Sequence, residues 1–414
     1  MTNTQKRWFI LGAGIVANIC QGVAYTSSIF MLPLGEALNR PHDKWSGEWG
    51  LIFAMTLAFL PLGMLLSGKL ADLGKTRFTA GMGALLFGGG LLLASLGGGV
   101  GWIALTLGAM TSIGSGCMYG TVLGAIVRWF PDRRGLASGL AVAAVGVGPL
   151  ILAPITSRFI ASYGVMDMFA ILGVICLVFM GLAALYVKNP PEGYAPEGWT
   201  PPVQSTTAPA REHLNWKQMI ARPLFWLMFA AYFCGVFAGI LVNGLAAPIA
   251  VELAGFTRAE APLAVMLFAV ASAGGRALWG YLSDRFGRVP MIAVAFVLTA
   301  VSMFAMYRYV TAPGALLPCI AAAGLCYGGI FGTFPSLCAD SFGTKNAAVN
   351  LAVLFISFSL VALIAPQVVG AYRAAGQGEY TGAFLVAGCI AVIGLVLSII
   401  MGRTIARSRK NRAE

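Results

Sequence analysis

GYLSDRFGRV, from Gly280 to Val289, has a counterpart earlier in the same chain: GKLADLGKTR, from Gly68 to Arg77. The two copies place Asp284 and Asp72 at a separation of 212 positions. The same offset carries GCMYGTV, from Gly116, onto GGIFGTF, from Gly328. It also carries FPDRRGLASGLA, from Phe130, onto FGTKNAAVNLAV, from Phe342. One offset held at three separate places marks an internal duplication with the halves running parallel.

The composition says what is duplicated. Of 414 residues 58% are apolar and 10% charged, and the mean hydropathy is +0.83. Soluble chains are roughly 45–50% apolar and about 25% charged. So few charges cannot clothe a globule of this size, and disordered, collagen-like and coiled-coil compositions are excluded as well. The chain reads as a polytopic, all-α membrane protein. A helical crossing needs roughly 20 apolar residues. Charge and Pro/Gly punctuation delimit twelve such runs: 8–34, 50–68, 78–96, 102–127, 136–157, 166–187, 223–250, 262–282, 289–307, 315–338, 347–369 and 381–402, spans one to twelve. Continuous runs, rather than short alternating ones, select helices over a barrel. The first run is too long for a cleaved signal peptide.

The net charge of +12 is a matter of sidedness, and no nucleic-acid partner is expected. With the N-terminus in the cytoplasm, 20 Lys and Arg fall in inner segments and 6 in outer ones. That bias places both termini inside, in a cytoplasmic (inner) membrane crossed many times. The Pro-rich stretch 188–222 reads as an extended cytoplasmic linker between an N-terminal six-helix bundle, 1–187, and a C-terminal one, 223–414. The 8 Cys lie in apolar runs without CxxC spacing and are expected to pack as small apolar residues. Gly81, Gly83, Gly88, Gly89 and Gly90 on span three, and Gly146 with Gly148 on span five, are expected to permit close helix contacts. Pro149, Pro154, Pro335 and Pro366 are candidate bends.

The pattern GxLxDRxGR at Gly280–Arg288, with its degraded copy after Gly68, resembles the loop motif of the major facilitator superfamily. RWFPDRRGLASG (Arg128–Gly139), with GSGCMYG upstream, and GGRALWGYLSDRFGR (Gly274–Arg288) are similar to the monocarboxylate transporters and oxalate/formate antiporters within it. The resemblance covers nearly the whole transporter domain. It implies two six-helix bundles that rock about a central site, a lactate- or pyruvate-type monocarboxylate as substrate, a proton as coupling ion, and no cofactor or metal. The bilayer is the surrounding partner, and the monomer is expected to function. In the loops, Asp284 is expected to cap the following helix, with Arg285 and Arg288 at the cytoplasmic surface. Asp72 is its counterpart, and Asp132 and Arg133 join this conformational set.

One cation is left over from the charge count. Arg276 lies well inside span eight, and no Asp, Glu, His or second Lys occurs at comparable depth. A charge at mid-helix costs about 2.5–3.5 kcal/mol on insertion scales, so it needs a cavity or a partner. A guanidinium offers a planar fork that fits a carboxylate, and the resemblance puts Arg276 on the group's substrate-carboxylate arginine. Tyr119 on span four is the repeat mate of Phe331 on span ten, and Tyr327 shares the helical face of Phe331. Phe355 on span eleven offers a further aromatic wall. On span one Tyr25, Ser27 and Ser28, and on span seven Asn243, are polar at cavity depth, where helix–helix hydrogen bonding is the competing role.

Departures from the group narrow the substrate. Oxalate-type members carry a Lys in span eleven, whereas LAVLFISFSL from Leu351 is apolar here. One cation suits one carboxylate. Animal monocarboxylate carriers have an Asp four residues before the arginine, and Ser272 stands there in this chain. The alternative within the fold is an oxalate/formate-type organic anion exchanger. An integral-membrane enzyme would need buried acid–base or metal-binding groups, but His42 and His213 both read as loop residues.

Overall fold

A computed structural model describes residues 3–191, 193–196, 213–257, 260–309, 313–375 and 381–413. All regular structure among the described residues is helical. Eleven of these helices are long and apolar enough to cross a membrane. The longest, Arg134–Tyr186, is broken at Gly164, whose φ of 85° and ψ of 169° only glycine adopts without strain, so spans five and six are separate passes.

Three spans depart from single runs. Span one is a helix Asn3–Gln21, a 3-10 turn Gly22–Thr26 and a second helix Ser27–Ala37. The tighter winding lies where Gly22 meets Gly148 of span five, so closely that a Cβ on Gly22 would stand 2.5 Å from the Gly148 Cα. Span two begins earlier than composition suggests, as His42–Ala58, and resumes as Leu60–Asp72 with Pro61 in the first turn of the second piece. Span four passes from Val100–Ile103 through a π-turn, Ala104–Met110, into Thr111–Trp129. The remaining helices are Thr76–Ala94, Pro223–Pro248 with a π-turn Ile249–Leu253, Ala261–Phe286, Arg288–Tyr309, Pro313–Phe342, Ala347–Ala375 and Gly382–Ala413. Pro149, Pro154, Pro335 and Pro366 stay inside helices and do not end them.

Part of the linker, residues 192 and 197–212, lies outside the described residues. Its last part is not extended. Trp216–Ile220 is a short helix opened by a reciprocal cap, in which Asn215 Oδ1 accepts from Gln218 N at 3.0 Å and Gln218 Oε1 accepts from Asn215 N at 2.9 Å. The Leu214 N–H then bonds the Phe342 carbonyl at 3.0 Å, tying the linker to the end of span ten.

Contacts group the chain into two compact units, and each includes a segment from the other half of the sequence. One holds Met1–Pro131, Ala144–Glu197 and Thr344–Ser359; the other holds Asp132–Ala143, Gly198–Gly343 and Leu360–Glu414. In unit one, span four packs on span two through Gly116 and on span three through Gly114, where a Cβ would strike Leu60 O and Phe87 N. Gly83 and Gly88 make the expected close approaches to spans four and six, but Gly81 has open space around it. Six of the Cys are buried; Cys319 is half-buried and Cys389 is exposed on span twelve.

Unit two is organised by a ladder. Gly324, Gly328 and Gly332 recur every four residues on span ten, and a Cβ on each would meet the carbonyl of Phe268, Ser272 and Arg276, which recur every four residues on span eight. From the other side Gly275 lies against the Leu325 carbonyl. With no Cβ between them the two backbones touch along three turns, as small-residue helix interfaces in membranes do. Gly328→Ala is therefore expected to cost about 1–3 kcal/mol by overpacking and to lower the thermal midpoint of the purified protein. Gly274→Ala, on span eight and with open space at its Cβ, should leave the midpoint unchanged or slightly raised.

Candidate functional site

The ladder sets the backbone of Arg276. Gly332 of span ten lies against it on one side and Gly139 of span five on the other, and a Cβ on either would collide with the Arg276 carbonyl. The side chain is 2% exposed. One terminal nitrogen donates to the Val142 carbonyl at 2.9 Å, and the guanidinium carbon lies 5.4 Å from the ring centre of Phe331. Among the described residues no carboxylate pairs with it. Its Nε is buried with no hydrogen-bond partner, and so is the Oγ of Ser272 one turn earlier on the same helix. A carbonyl and an aromatic face offset only part of the cost of the charge. The Nε–H is one of the two parallel donors that a carboxylate takes side-on.

Around this cation unit two gathers a row of rings. Tyr327 and Phe331 meet edge to face at 5.0 Å, Phe268 lies 5.8 Å from Tyr327, and Tyr232 lies 5.9 Å from Phe331. Arg276, Ser272, Tyr327 and Phe331 therefore belong together. Tyr232, fully buried, was not apparent from sequence. Asn243 is half-buried on span seven and joins none of these contacts.

Unit one holds the other expected aromatics. Tyr119 and Phe355 are buried with ring centres 5.6 Å apart, because the first part of span eleven packs in this unit. The side chains of Tyr25, Ser27 and Ser28 lie outside the described residues. A polar cluster nearby was overlooked: Ser115, one turn before Tyr119, donates to Gln21 Oε1 at 2.6 Å, and Gln21 Nε2 donates to Asn18 Oδ1 at 2.8 Å. Asn18 and Gln21 are buried, and two amides inside an apolar run were the available signal. No cluster of metal-ligating side chains occurs among the described residues.

The loop aspartates differ from expectation in what they cap. Asp284 accepts from Gly135 N at 2.9 Å and Leu136 N at 2.8 Å, so it caps span five and not the helix that follows it. The reason is geometric: Gly280 and Gly135 approach without side chains between them, bringing the N-terminus of span five to Asp284. Asp72 does the same for span eleven, accepting from Ala348 N and Val349 N at 3.2 Å each. Arg288 is not left at the surface: it pairs with Asp284 and, at 3.1 Å, with Asp340, which also pairs with Arg134. Arg285 and Arg133 are exposed, and Arg133 stands 4.0 Å from Asp132. The ion cluster thus runs through Arg134 and Asp340, neither of them singled out from sequence. In unit one Arg128 pairs with Asp72 and also donates to the Thr344 carbonyl at 2.9 Å and the Lys345 carbonyl at 2.8 Å. The repeat offset was the missed signal, since Arg128 and Asp340 are equivalent positions of opposite sign.

The sequence profile of the Major Facilitator Superfamily matches residues 14–366 and 232–414. The uncharacterized MFS-type transporter YhjX of Escherichia coli (strain K12) is 28% identical over 365 residues, 87% of each chain. The oxalate:formate antiporter of Oxalobacter formigenes is 27% identical over 422 residues, covering 98% of this chain and 94% of that one. Among solved structures, the proton:xylose symporter XylE superposes with a TM-score of 0.73 at 15% identity, over 95% of each chain, a likeness of fold alone.

Asp340→Ala leaves Arg134 and Arg288 without their shared carboxylate. The Asp340 side chain is 30% exposed, so the expected loss of stability is modest, about 1–2 kcal/mol. In a double-mutant cycle with Arg134→Ala, thermal midpoints should give a coupling of about 0.5–2 kcal/mol, while Arg133→Ala, whose side chain is 63% exposed, should leave the midpoint unmoved.

Proposed function

The chain belongs to the Major Facilitator Superfamily, and on that premise we propose that it carries a small 2-hydroxy or 2-oxo monocarboxylate, with lactate and pyruvate as the type. Membership makes it a multi-pass secondary transporter, which moves small solutes across the membrane by alternating access of its two bundles. The choice of substrate is carried by one observation, the buried Arg276 with an unspent Nε–H and no carboxylate among the described residues. The carboxylate of the substrate supplies the missing anion. The Ser272 Oγ, also buried and without a bond, is placed to accept or donate to the second oxygen of a hydroxy or keto acid. Phe331 and Tyr327 supply an aromatic wall for a short hydrocarbon end.

The same reading places the protein in the cytoplasmic membrane with both termini inside, working as a monomer. A proton is the coupling ion, and span eight offers it no carboxylate, since Ser272 stands one turn before the arginine. Likeness to the oxalate:formate antiporter supports a second reading, exchange of small organic anions. Against a dicarboxylate stands the single intramembrane cation, which would leave a second anion unpaired at low dielectric.

Proteoliposomes offered labelled lactate, pyruvate, acetate, oxalate and formate, with and without an inward pH gradient, separate the two. Lactate or pyruvate uptake driven by the gradient supports the first reading; gradient-independent exchange with oxalate preferred supports the second. Breaking a buried ion pair is worth about 3–5 kcal/mol, so Arg276→Ala should lower uptake by at least about 100-fold while the protein stays folded and monodisperse. Normal lactate uptake by that variant would refute the role of Arg276.

A further inference from the structure

At the end of unit two where the linker enters, a cavity of about 700 Å³ opens between Leu214 and Arg222, which flank the short helix, and the ends of spans seven, nine, ten and twelve. That is within the ~300–1,000 Å³ of small-molecule sites. Its walls are of two kinds. Leu224, Leu337 and Ile405 are apolar, whereas Arg222 and Arg288 are cationic. Asp340 also lines it, but this carboxylate is matched by Arg134 and Arg288. Two helices begin on the cavity, span seven at Pro223, without a side-chain cap, and span nine at Arg288. Both turn the positive end of the helix dipole toward the space.

The surroundings point to a membrane interface. Trp226 is 57% exposed with its indole N–H bonded to the Ile220 carbonyl at 2.9 Å, and Trp216 is 43% exposed beneath the Lys217 ammonium at 5.5 Å. Exposed Trp at helix ends is the signature of the headgroup layer. Lys217, Arg403 and Arg407 are exposed on the same helix ends. A second hollow of about 440 Å³, lined by His213, Gln218 and Ala221, shares Leu214 and Arg222 with the first, so Arg222 stands at both.

We propose that this cavity is a site for an anionic phospholipid. The phosphate takes Arg222 and the start of span seven, and an acyl chain lies along Leu224 and Ile405. An apolar wall that ends in a cationic rim fits a lipid better than a free anion, which would leave the apolar surface uncovered. The headgroup also faces Arg288, which Asp340 holds through its Nε at 3.1 Å. Lipid occupancy therefore bears on the ion cluster that fastens span five. This site stands on the membrane-protein reading alone and is independent of the substrate.

The full-length protein in detergent is titrated with short-chain phosphatidylglycerol, short-chain phosphatidylcholine or inorganic phosphate, and the thermal midpoint is read. Phosphatidylglycerol should raise the midpoint saturably, and the other two should not. With about 1 kcal/mol per basic residue near an anionic headgroup, Arg222→Gln should weaken the half-saturating concentration about fivefold, and adding Lys217→Gln should weaken it further. Size-exclusion profiles and midpoints without lipid report whether the variants fold. If they do not, quenching of wild-type Trp fluorescence by brominated phosphatidylglycerol, competed by unbrominated phosphatidylglycerol and not by phosphatidylcholine, carries the test. An equal shift with phosphatidylcholine, an equal shift with phosphate, a folded Arg222→Gln protein that titrates like wild type, or quenching indifferent to headgroup would each overturn the proposal.

Discussion

A guanidinium buried in a membrane span has to be held by something, and the arrangement of unit two follows from how Arg276 is held. Its insertion cost, about 2.5–3.5 kcal/mol on translocon scales, is met partly by the Val142 carbonyl and the face of Phe331. Both reach it only because Gly139 and Gly332 let spans five and ten close on its backbone. A methyl group at either position would push one of them away. The glycine ladder and the buried cation are in this sense one construction: close backbone packing provides the carbonyl and the ring, and what it does not provide is an anion.

The second recurring device is a carboxylate at the start of a helix. Asp284 caps span five and Asp72 caps span eleven, each receiving two main-chain N–H groups from a helix that begins far away in sequence. These caps hold the first turns of span five in unit two and those of span eleven in unit one. A helix N-terminus with a carboxylate against it gains both hydrogen bonds and a favourable dipole interaction, and a glycine beside each aspartate, Gly280 or Gly68, allows the approach.

Much of this was legible beforehand. Composition was enough for an all-α membrane protein, and the Gly164 break restores the count of twelve runs expected from hydropathy. The depth and isolation of Arg276 were visible because a lone charge in an apolar run is a strong signal. What escaped were features that depend on tertiary approach. Asp284 was expected to cap its own neighbour because sequence shows only neighbours; the partner it has, at Gly135, is 149 positions away. Arg133 was favoured over Arg134, although only one of two adjacent arginines can face the cluster on a helix start. The winding of span one at Gly22 and the π-turn of span four leave no mark in hydropathy, since both keep the same apolar content. The repeat of glycine every four residues on span ten was present in the sequence, but its register against Phe268, Ser272 and Arg276 needed the second helix.

Equivalence between positions 128 and 340, occupied by Arg and Asp, has a consequence for how the two aspartate caps respond to their surroundings. In a dimer of identical subunits one residue would have to serve both copies, and duplication within one chain removes that demand. Unit one uses a single cation, with 12% of the Arg128 side chain and 5% of the Asp72 side chain exposed, backed by two main-chain carbonyls. Unit two uses a four-membered cluster whose Asp340 is 30% exposed. Mobile ions screen exposed charges far more than sheltered ones. Rising ionic strength thus loosens the second fastening before the first, and the two halves of one duplicated fold acquire different sensitivities to the salt around them.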